Sequence, residues 1–291
     1  MNVDLLLQIL VNGLMSGGMY ALVASGFTLI LGVIQVFNFA QGHFYMLGAF
    51  VTFGVVMSLG LPYPVAIIVA MAAMGLLGIF FHFSIIRWVL SYGMFHTLLI
   101  TIAFGTIVNQ VSLLTFGYND AVMDSVVQGS FNFGEIVFSK DKMFVIICAI
   151  IVMIALHYFM RTKIGTAMLA SAENREVAGL QGINTQQIFW IAMAVGCALS
   201  GIAGGLIVPV LAGSYNMGEK IFIKAMIVVV IGGMGSMSGA LLAAFLVGII
   251  ESFAFQFVGE LNVLVVFAFM GVLTYFRPGG LLGKPMPIPG Q

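Results

Sequence analysis

Charged positions divide the chain into long silent runs. No Asp, Glu, Lys or Arg occurs from Leu5 to Ile86, and further uncharged runs cover 88–119, 143–160, 177–218, 225–250 and 261–276. A helix that crosses a bilayer takes about 20 mostly apolar residues, and an ionised side chain at its centre costs about 3 kcal/mol. The silent runs therefore mark spans. They hold about eight or nine crossings, placed near 5–31, 38–60, 64–86, 93–117, 142–160, 188–211, 222–236, 238–257 and 261–276. The pattern predicts an all-α polytopic membrane bundle, with one transmembrane domain over 1–291. Pro62 and Pro64 sit between the second and third spans, where a fixed φ and a missing N–H suit a tight link between antiparallel neighbours.

Composition agrees. Hydrophobic residues make up 62% of the 291 and charged residues 7%, against about 25% in a soluble protein. Mean hydropathy is +1.17. That leaves too little polar surface to cover a globule in water, which excludes an ordinary soluble enzyme. Formal net charge is zero and no basic block occurs, so no nucleic-acid partner is expected. Cys148 and Cys197 lie apart inside apolar runs and suggest neither a disulfide framework nor a metal site. The first apolar run follows Asn2 and Asp4 rather than a basic segment and exceeds signal-peptide length, so it is expected to be retained.

Lys and Arg set the orientation. Arg87, Arg161, Lys163, Arg175, Arg277 and Lys284 fall on one side; Lys140, Lys142, Lys220 and Lys224 fall on the other. The richer side is expected to be cytoplasmic. The loop 118–141 carries Asp120, Asp124 and Glu135 and alternates like a strand at Ser130-Phe131-Asn132-Phe133, and it is expected to be external. The N-terminus then lies outside and the tail Arg277-Pro278-Gly279-Gly280 inside.

Two segments break the apolar pattern. Residues 34–43 place Gln35, Asn38, Gln41 and His43 with Gly42 where a simple span would be apolar, and 232–240 hold Gly232, Gly233, Gly235, Ser236, Ser238 and Gly239. Polar or non-helical backbone at membrane depth persists only inside protein or beside water, so both predict discontinuous helices. Residues 42–49 match 233–240 at four of eight positions. Paired interruptions in two halves point to a central transport site, with Asn38, Gln41, Gly42, His43, Gly233, Gly235, Ser236 and Ser238 as candidate path residues. Close helix packing through small residues is the other reading of the same glycines, and the one the sequence alone favours.

One internal segment reads as a water-exposed helix. Residues 167–181 are strong helix formers, Thr166 is a candidate cap and Gly182 a candidate terminator. Such a helix is marginal alone and packs against its own bundle or a partner.

Several ordered motifs resemble one family. Asn38-Phe39-Ala40-Gln41-Gly42 with Tyr45-Met46-Leu47-Gly48-Ala49, Gly165-Thr166-Ala167 leading to Ala178-Gly179-Leu180-Gln181-Gly182, Gly232-Gly233 through Gly239-Ala240, and Phe276-Arg277-Pro278-Gly279-Gly280-Leu281 are similar to the LivH-type permeases of branched-chain amino acid ABC transporters. The resemblance covers essentially the whole chain. It implies a multi-pass importer subunit of the bacterial inner membrane, paired with a second related permease as a heterodimer. Two ATP-binding subunits and a periplasmic solute-binding protein complete the assembly the resemblance implies. Residues 161–186 would be the cytoplasmic coupling loop, with Gly165, Ala167, Glu173, Arg175, Glu176, Ala178 and Gly182 meeting an ATPase, and 118–141 a periplasmic loop.

Of the remaining polar residues, Glu251 lies within the 238–257 span, and a buried acid usually locks helices together through a partner. Lys224 is expected to snorkel outwards. Asn109 and Gln110 are expected to hydrogen-bond between helices, and His82, His96 and His157 to sit at interfaces. No Walker loop, Ser-His-Asp, H-E-x-x-H or C-x-x-C pattern is present, so no catalytic residue, metal or cofactor is expected. ATP hydrolysis is expected in partner subunits. Read from residues alone, an ion-coupled secondary transporter using Glu251 and a passive urea or amide channel remain alternatives.

Overall fold

The computed structural model describes residues 3–117, 121–124, 126, 129–133 and 136–283. Asp120, Glu135 and Lys284, three of the charges used to assign sides, lie outside the described residues. The helices are α1 (Val3–Ile34), α2 (Gln41–Leu59), α3 (Tyr63–Phe81), α4 (Arg87–Val89), α5 (Met94–Phe116), α6 (Lys140–Met160), α7 (Lys163–Glu173), α8 (Arg175–Leu180), α9 (Thr185–Ile207), α10 (Met217–Gly232), α11 (Met237–Val258) and α12 (Asn262–Phe276). A π turn, His82–Ile86, joins α3 to α4. Pro62 caps α3 from an extended conformation and Gly60 ends α2 in the left-handed region, which makes the link between them short.

Among the described residues seven stretches are long and apolar enough to cross a membrane, and the protein is a multi-pass membrane protein. The last, Met237–Phe276, contains α11 and α12 joined by a 3-10 turn, Gly259–Leu261. Leu281 and Leu282 donate backbone hydrogen bonds to Ile231 and Gly232, just before α11 begins. The chain therefore returns to its starting end, and α11 and α12 run as an antiparallel pair. Within the 118–141 loop, β1 (Ser130–Phe133) pairs antiparallel with β2 (Ile136–Ser139) in a small hairpin.

α1 is the central post. It packs on α6, α9, α10 and α11, and most of its apolar window is buried. Small residues bring the backbones together: a Cβ on Gly17 would lie 2.9 Å from Phe245 Cα, and one on Gly13 2.8 Å from Ile249 Cα. Lipid gives helices no hydrophobic reason to associate, so such close packing supplies the dispersion energy instead.

Heights within the bundle follow from contacts. Gly196 stands halfway along α9, and its carbonyl oxygen accepts from Gln41 Nε2 at 2.8 Å while lying 2.6 Å from where a Gly26 Cβ would sit. α1 continues eight residues past Gly26, about 12 Å at 1.5 Å per residue. Residues 35–40 then climb back without helix, and α2 sets out from mid-bundle.

The expected span at 222–236 is corrected. α10 begins earlier, at Met217, and has 16 residues, about 24 Å, short of the roughly 30 Å hydrocarbon core. Gly218 touches Gly42, so α10 starts at mid-height beside the start of α2 and runs the opposite way, toward the end of the bundle where Gly235 approaches Gly32.

Candidate functional site

The break between α1 and α2 is held by side chains that replace the missing helical hydrogen bonds. Asn38 Oδ1 accepts from Ala40 N at 3.1 Å, closing a local turn, and Asn38 Nδ2 donates to Gln41 Oε1 at 3.3 Å. Thr101 of α5 reaches the break as well: its Oγ1 accepts from Phe39 N at 3.2 Å, while its hydroxyl proton is shared between Leu98 O of its own helix at 2.9 Å and the more distant Phe37 O at 3.4 Å. Gln41 Nε2 donates to Ser200 Oγ at 2.7 Å as well as to Gly196 O. Asn38 and Gln41 are fully buried. Gln35 adopts φ 61°, the only described non-glycine residue with positive φ. His43, the remaining polar residue of this segment, packs over Gly105 of α5, and neither ring nitrogen finds a hydrogen-bond partner among the described residues.

The second break, between α10 and α11, uses different means. Gly233 and Gly235 take φ 99° and 83°, and Ser236 Oγ caps α11 by accepting from Gly239 N at 3.1 Å. The tail closes over it, since a Cβ on Gly233 would lie 2.6 Å from Gly279 O and 2.5 Å from Gly283 Cα. The end of the Arg277-Pro278-Gly279-Gly280 motif and the Gly232–Gly239 run thus meet backbone to backbone. Gly235 and Ser238 are exposed, Gly233 is buried and Ser236 half-buried.

The structure does not bring these two sets together. Asn38, Gln41, Gly42 and His43 meet the start of α10, while Gly233, Gly235, Ser236 and Ser238 lie past its far end, about 20 Å away along the helix. Just below the contact of Gly42 with Gly218, the ring of Phe222 stands 4.8 Å from that of Phe39 and 5.6 Å from that of Phe27. Together they form an aromatic layer at this level.

Glu251 is 8% exposed and accepts from Lys224 Nζ at 2.5 Å, from the Tyr20 hydroxyl at 2.5 Å and from Asn262 Nδ2 at 3.4 Å. Lys224 also donates to Tyr20 Oη at 3.1 Å. These contacts join α1, α10, α11 and α12. Lys224 therefore turns to Glu251 rather than to the solvent-facing ends expected from its position, because an unpaired acid at that depth is the costlier arrangement. Asn109 Nδ2 donates to Glu219 Oε1 at 3.1 Å between α5 and α10, while Gln110 is exposed. His82 is fully buried rather than at an interface; His96 and His157 are exposed. Among the described residues no three His, Cys, Asp or Glu side chains gather as a metal site.

Residues 161–184 form two short helices instead of the single one expected over 167–181. Thr162, not Thr166, caps α7, accepting from Gly165 N at 3.3 Å. Asn174 leaves the helix at φ −154° and its Oδ1 caps α8 by accepting from Glu176 N and Val177 N at 3.0 and 3.1 Å. An amide that caps two donors competes with helix continuation, which is why the run of helix formers breaks there. Gly182 ends α8 with φ 85°, and Ile183 N donates back to Ala178 O at 3.1 Å. Gly165 and Ala178 are buried at the base and Ala167 is half-buried; Glu173, Arg175, Glu176 and Gly182 are exposed. Arg175 stands over the Phe189 ring at 4.5 Å. Leu180 projects from the tip, 89% exposed. α7 packs on α1, α6 and α9.

Residues 9–275 match the family described as the branched-chain amino acid transport system / permease component. The chain belongs to this family. The permease is 31% identical to the high-affinity branched-chain amino acid transport system permease protein BraD of Pseudomonas aeruginosa, with 96% of each chain covered. It is 28% identical to LivH of Escherichia coli, again over 96% of each. To LivM of Escherichia coli it is 26% identical over 92% of its own length and 68% of that relative. No solved structure matches it.

Sequence reasoning missed Tyr20 and Gly218 altogether and misread Lys224. The available signal was Glu251: an acid inside a span requires a cation, and Lys224 is the basic residue nearest in the chain that enters a helix at membrane depth.

Proposed function

We propose that this permease is a translocation subunit of a binding-protein-dependent ABC importer of the bacterial inner membrane, moving branched-chain or related amino acids. The observation that carries the reading is similarity to BraD over nearly the full length of both chains. In this reading a second related permease pairs with it as a heterodimer, two ATP-binding subunits dock on the cytoplasmic loop 161–186, and a solute-binding protein delivers substrate on the side of 118–141.

The geometry supplies a route for force. α7 rests on α1 and α9, α1 leads into the non-helical stretch 35–40, and Gln41 ties the start of α2 back to α9. A push on α7 and α8 is thereby delivered to the mid-bundle junction of Gly42 and Gly218. Opening the layer of Phe27, Phe39 and Phe222 connects the two ends of the path. Asn38, Gln41, Gly42 and His43 line the moving junction, and Gly233, Gly235, Ser236 and Ser238 form a hinge at the coupling end, where two positive-φ glycines let α10 swing on α11.

Affinity purification of the tagged permease from native membranes, with leucine uptake measured in membrane vesicles, tests the reading. An ATPase and a second permease should copurify, and uptake should need ATP and binding protein. Recovery of the permease without an ATPase, or uptake driven by an ion gradient alone, overturns it.

A further inference from the structure

A cavity of about 230 Å³ opens at the end of the bundle opposite α7 and α8, between α1, α2, α10 and the segment that follows α9. Its walls include Met19, Ile207, Met217 and Ile221 on the apolar side, and Tyr20, Lys220 and Lys224 on the polar side. Glu251 stands just behind the polar wall, bonded to both Tyr20 and Lys224. The volume equals about eight waters at roughly 30 Å³ each, close to the heavy-atom count of one aliphatic amino acid and below the range that holds drug-sized ligands. Met217 and Tyr45, which also line it, lie beside the junction of Gly218 and Gly42 in sequence.

We infer that this cavity is a resting site, inside a single permease chain, for one small aliphatic amino acid in its zwitterionic form. The inference rests on the amino-acid importer reading and gives it a place. The carboxylate lies on Lys224 and Lys220, and the ammonium turns to the Tyr20 hydroxyl, behind which the Glu251 carboxylate supplies the negative charge. The aliphatic side chain packs on Met19, Ile207 and Ile221. Two cations and one acid match the two charges of the ligand and leave one cation in excess, which selects for the carboxylate end. Because Lys224 and Glu251 are already paired, entry leaves neither without an opposite charge beside it, and the cation in excess is the exposed Lys220. Phe222 of the aromatic cluster sits between Ile221 and Lys224 on α10, so the site and the cluster share that helix.

The test is saturation binding of radiolabelled leucine to the purified full chain in lipid nanodiscs, with leucinol, which lacks the carboxylate, and 4-methylpentanoate, which lacks the ammonium, as competitors. Leucine should displace the label at least tenfold more effectively than either analogue. Ala212→Phe, at the half-buried rim, narrows the cavity without touching the ion pair and should weaken binding at least tenfold while elution and melting temperature stay unchanged. Lys224→Met should abolish binding; if it fails to fold, Ala212→Phe and the analogue series still decide. No saturable leucine binding, equal displacement by leucinol, or unaltered affinity in a folded Ala212→Phe chain overturns the site. Leucine uptake by the assembled transporter is read separately. Uptake that persists when the cavity results are negative removes the site and leaves the importer standing. Leucine bound in the cavity without ATP-dependent leucine uptake removes the importer reading and leaves the site.

Discussion

Gly42 and Gly218 touch backbone to backbone, so that a Cβ on Gly218 would lie 2.8 Å from the Gly42 carbonyl oxygen and one on Gly42 would overlap the Gly218 carbonyl. Two helices that run in opposite directions begin at this contact, at the height of Gly196. The contact fixes how deep the broken segment sits, and it leaves no room for a methyl group.

Gly42→Ala and Gly218→Ala should therefore each lower stability by about 1–3 kcal/mol, the range for overpacking a close-packed site. Gly54, in the same helix as Gly42, has open space around its Cβ position. Gly54→Ala should leave stability unchanged or raise it by up to about 1 kcal/mol through helix propensity. Thermal melting of the purified variants in detergent separates the two cases. Equal melting temperatures for all three would mean the helix starts do not meet.

Lys224 and Glu251 should behave as a unit. Removing one partner leaves an uncompensated charge, which costs about 3–5 kcal/mol in buried pairs, whereas replacing both with apolar residues is often neutral. Glu251→Leu alone should melt well below the parent, and Lys224→Met with Glu251→Leu should recover most of the loss. Tyr20→Phe removes a donor to Glu251 but no charge, so its effect should be smaller, about 1–2 kcal/mol. A double-mutant cycle with additive losses would show that the pair is not coupled.

How far these relationships were legible depended on their range along the chain. The charge-free runs reveal the membrane directly, because each span must exclude charge by itself. The break at 35–40 shows for the same reason: Asn38, Gln41 and His43 crowd a stretch that lipid would not tolerate. The start of α10 was hidden by its own charges. Glu219 and Lys220 make 217–221 look like loop, and the acid that pairs Lys224 stands 27 residues on. Spacing along one helix cannot register a partner on another. Asn174 was a local miss with a local signal, an N-cap residue placed directly before Arg175-Glu176 inside an otherwise continuous helical run. Gly182 carried the matching stop signal and was read correctly as the helix terminator, with φ 85°.

Gln41 should contribute through hydrogen bonds rather than volume. Its Nε2 serves both Gly196 O and Ser200 Oγ, and interhelical bonds of this kind in membranes are worth about 1 kcal/mol. Gln41→Leu should cost about 1–2 kcal/mol and loosen the junction of α2 and α9. Ser200→Ala should cost about half as much, since Gly196 still accepts from Gln41. Hydrogen exchange at Gly42 and His43 amides should rise in Gln41→Leu and remain near the parent in Ser200→Ala; unchanged exchange in both would place the restraint elsewhere.

Leu180 offers the sharpest test of the coupling segment. A leucine 89% exposed at the tip of a six-residue helix gains nothing from the bundle itself, and it is flanked by exposed Val177 and by Arg175 and Glu176. Leu180→Asp should leave insertion and melting temperature unchanged while lowering substrate-stimulated ATP hydrolysis at least tenfold, because in the docking proposed above a charge would enter an apolar contact with the ATPase. Ala178 serves as the contrast. It is 2% exposed and lies against the permease's own helices, so Ala178→Trp should destabilise α8 and reduce hydrolysis only together with a lower melting temperature. Both variants are read in reconstituted assemblies by ATPase rate and by retention of the ATP-binding subunits on the tagged permease. Full stimulation in Leu180→Asp would remove α8 from the docking surface and leave α7, with Ile164 and Leu169 exposed on it, to carry the contact.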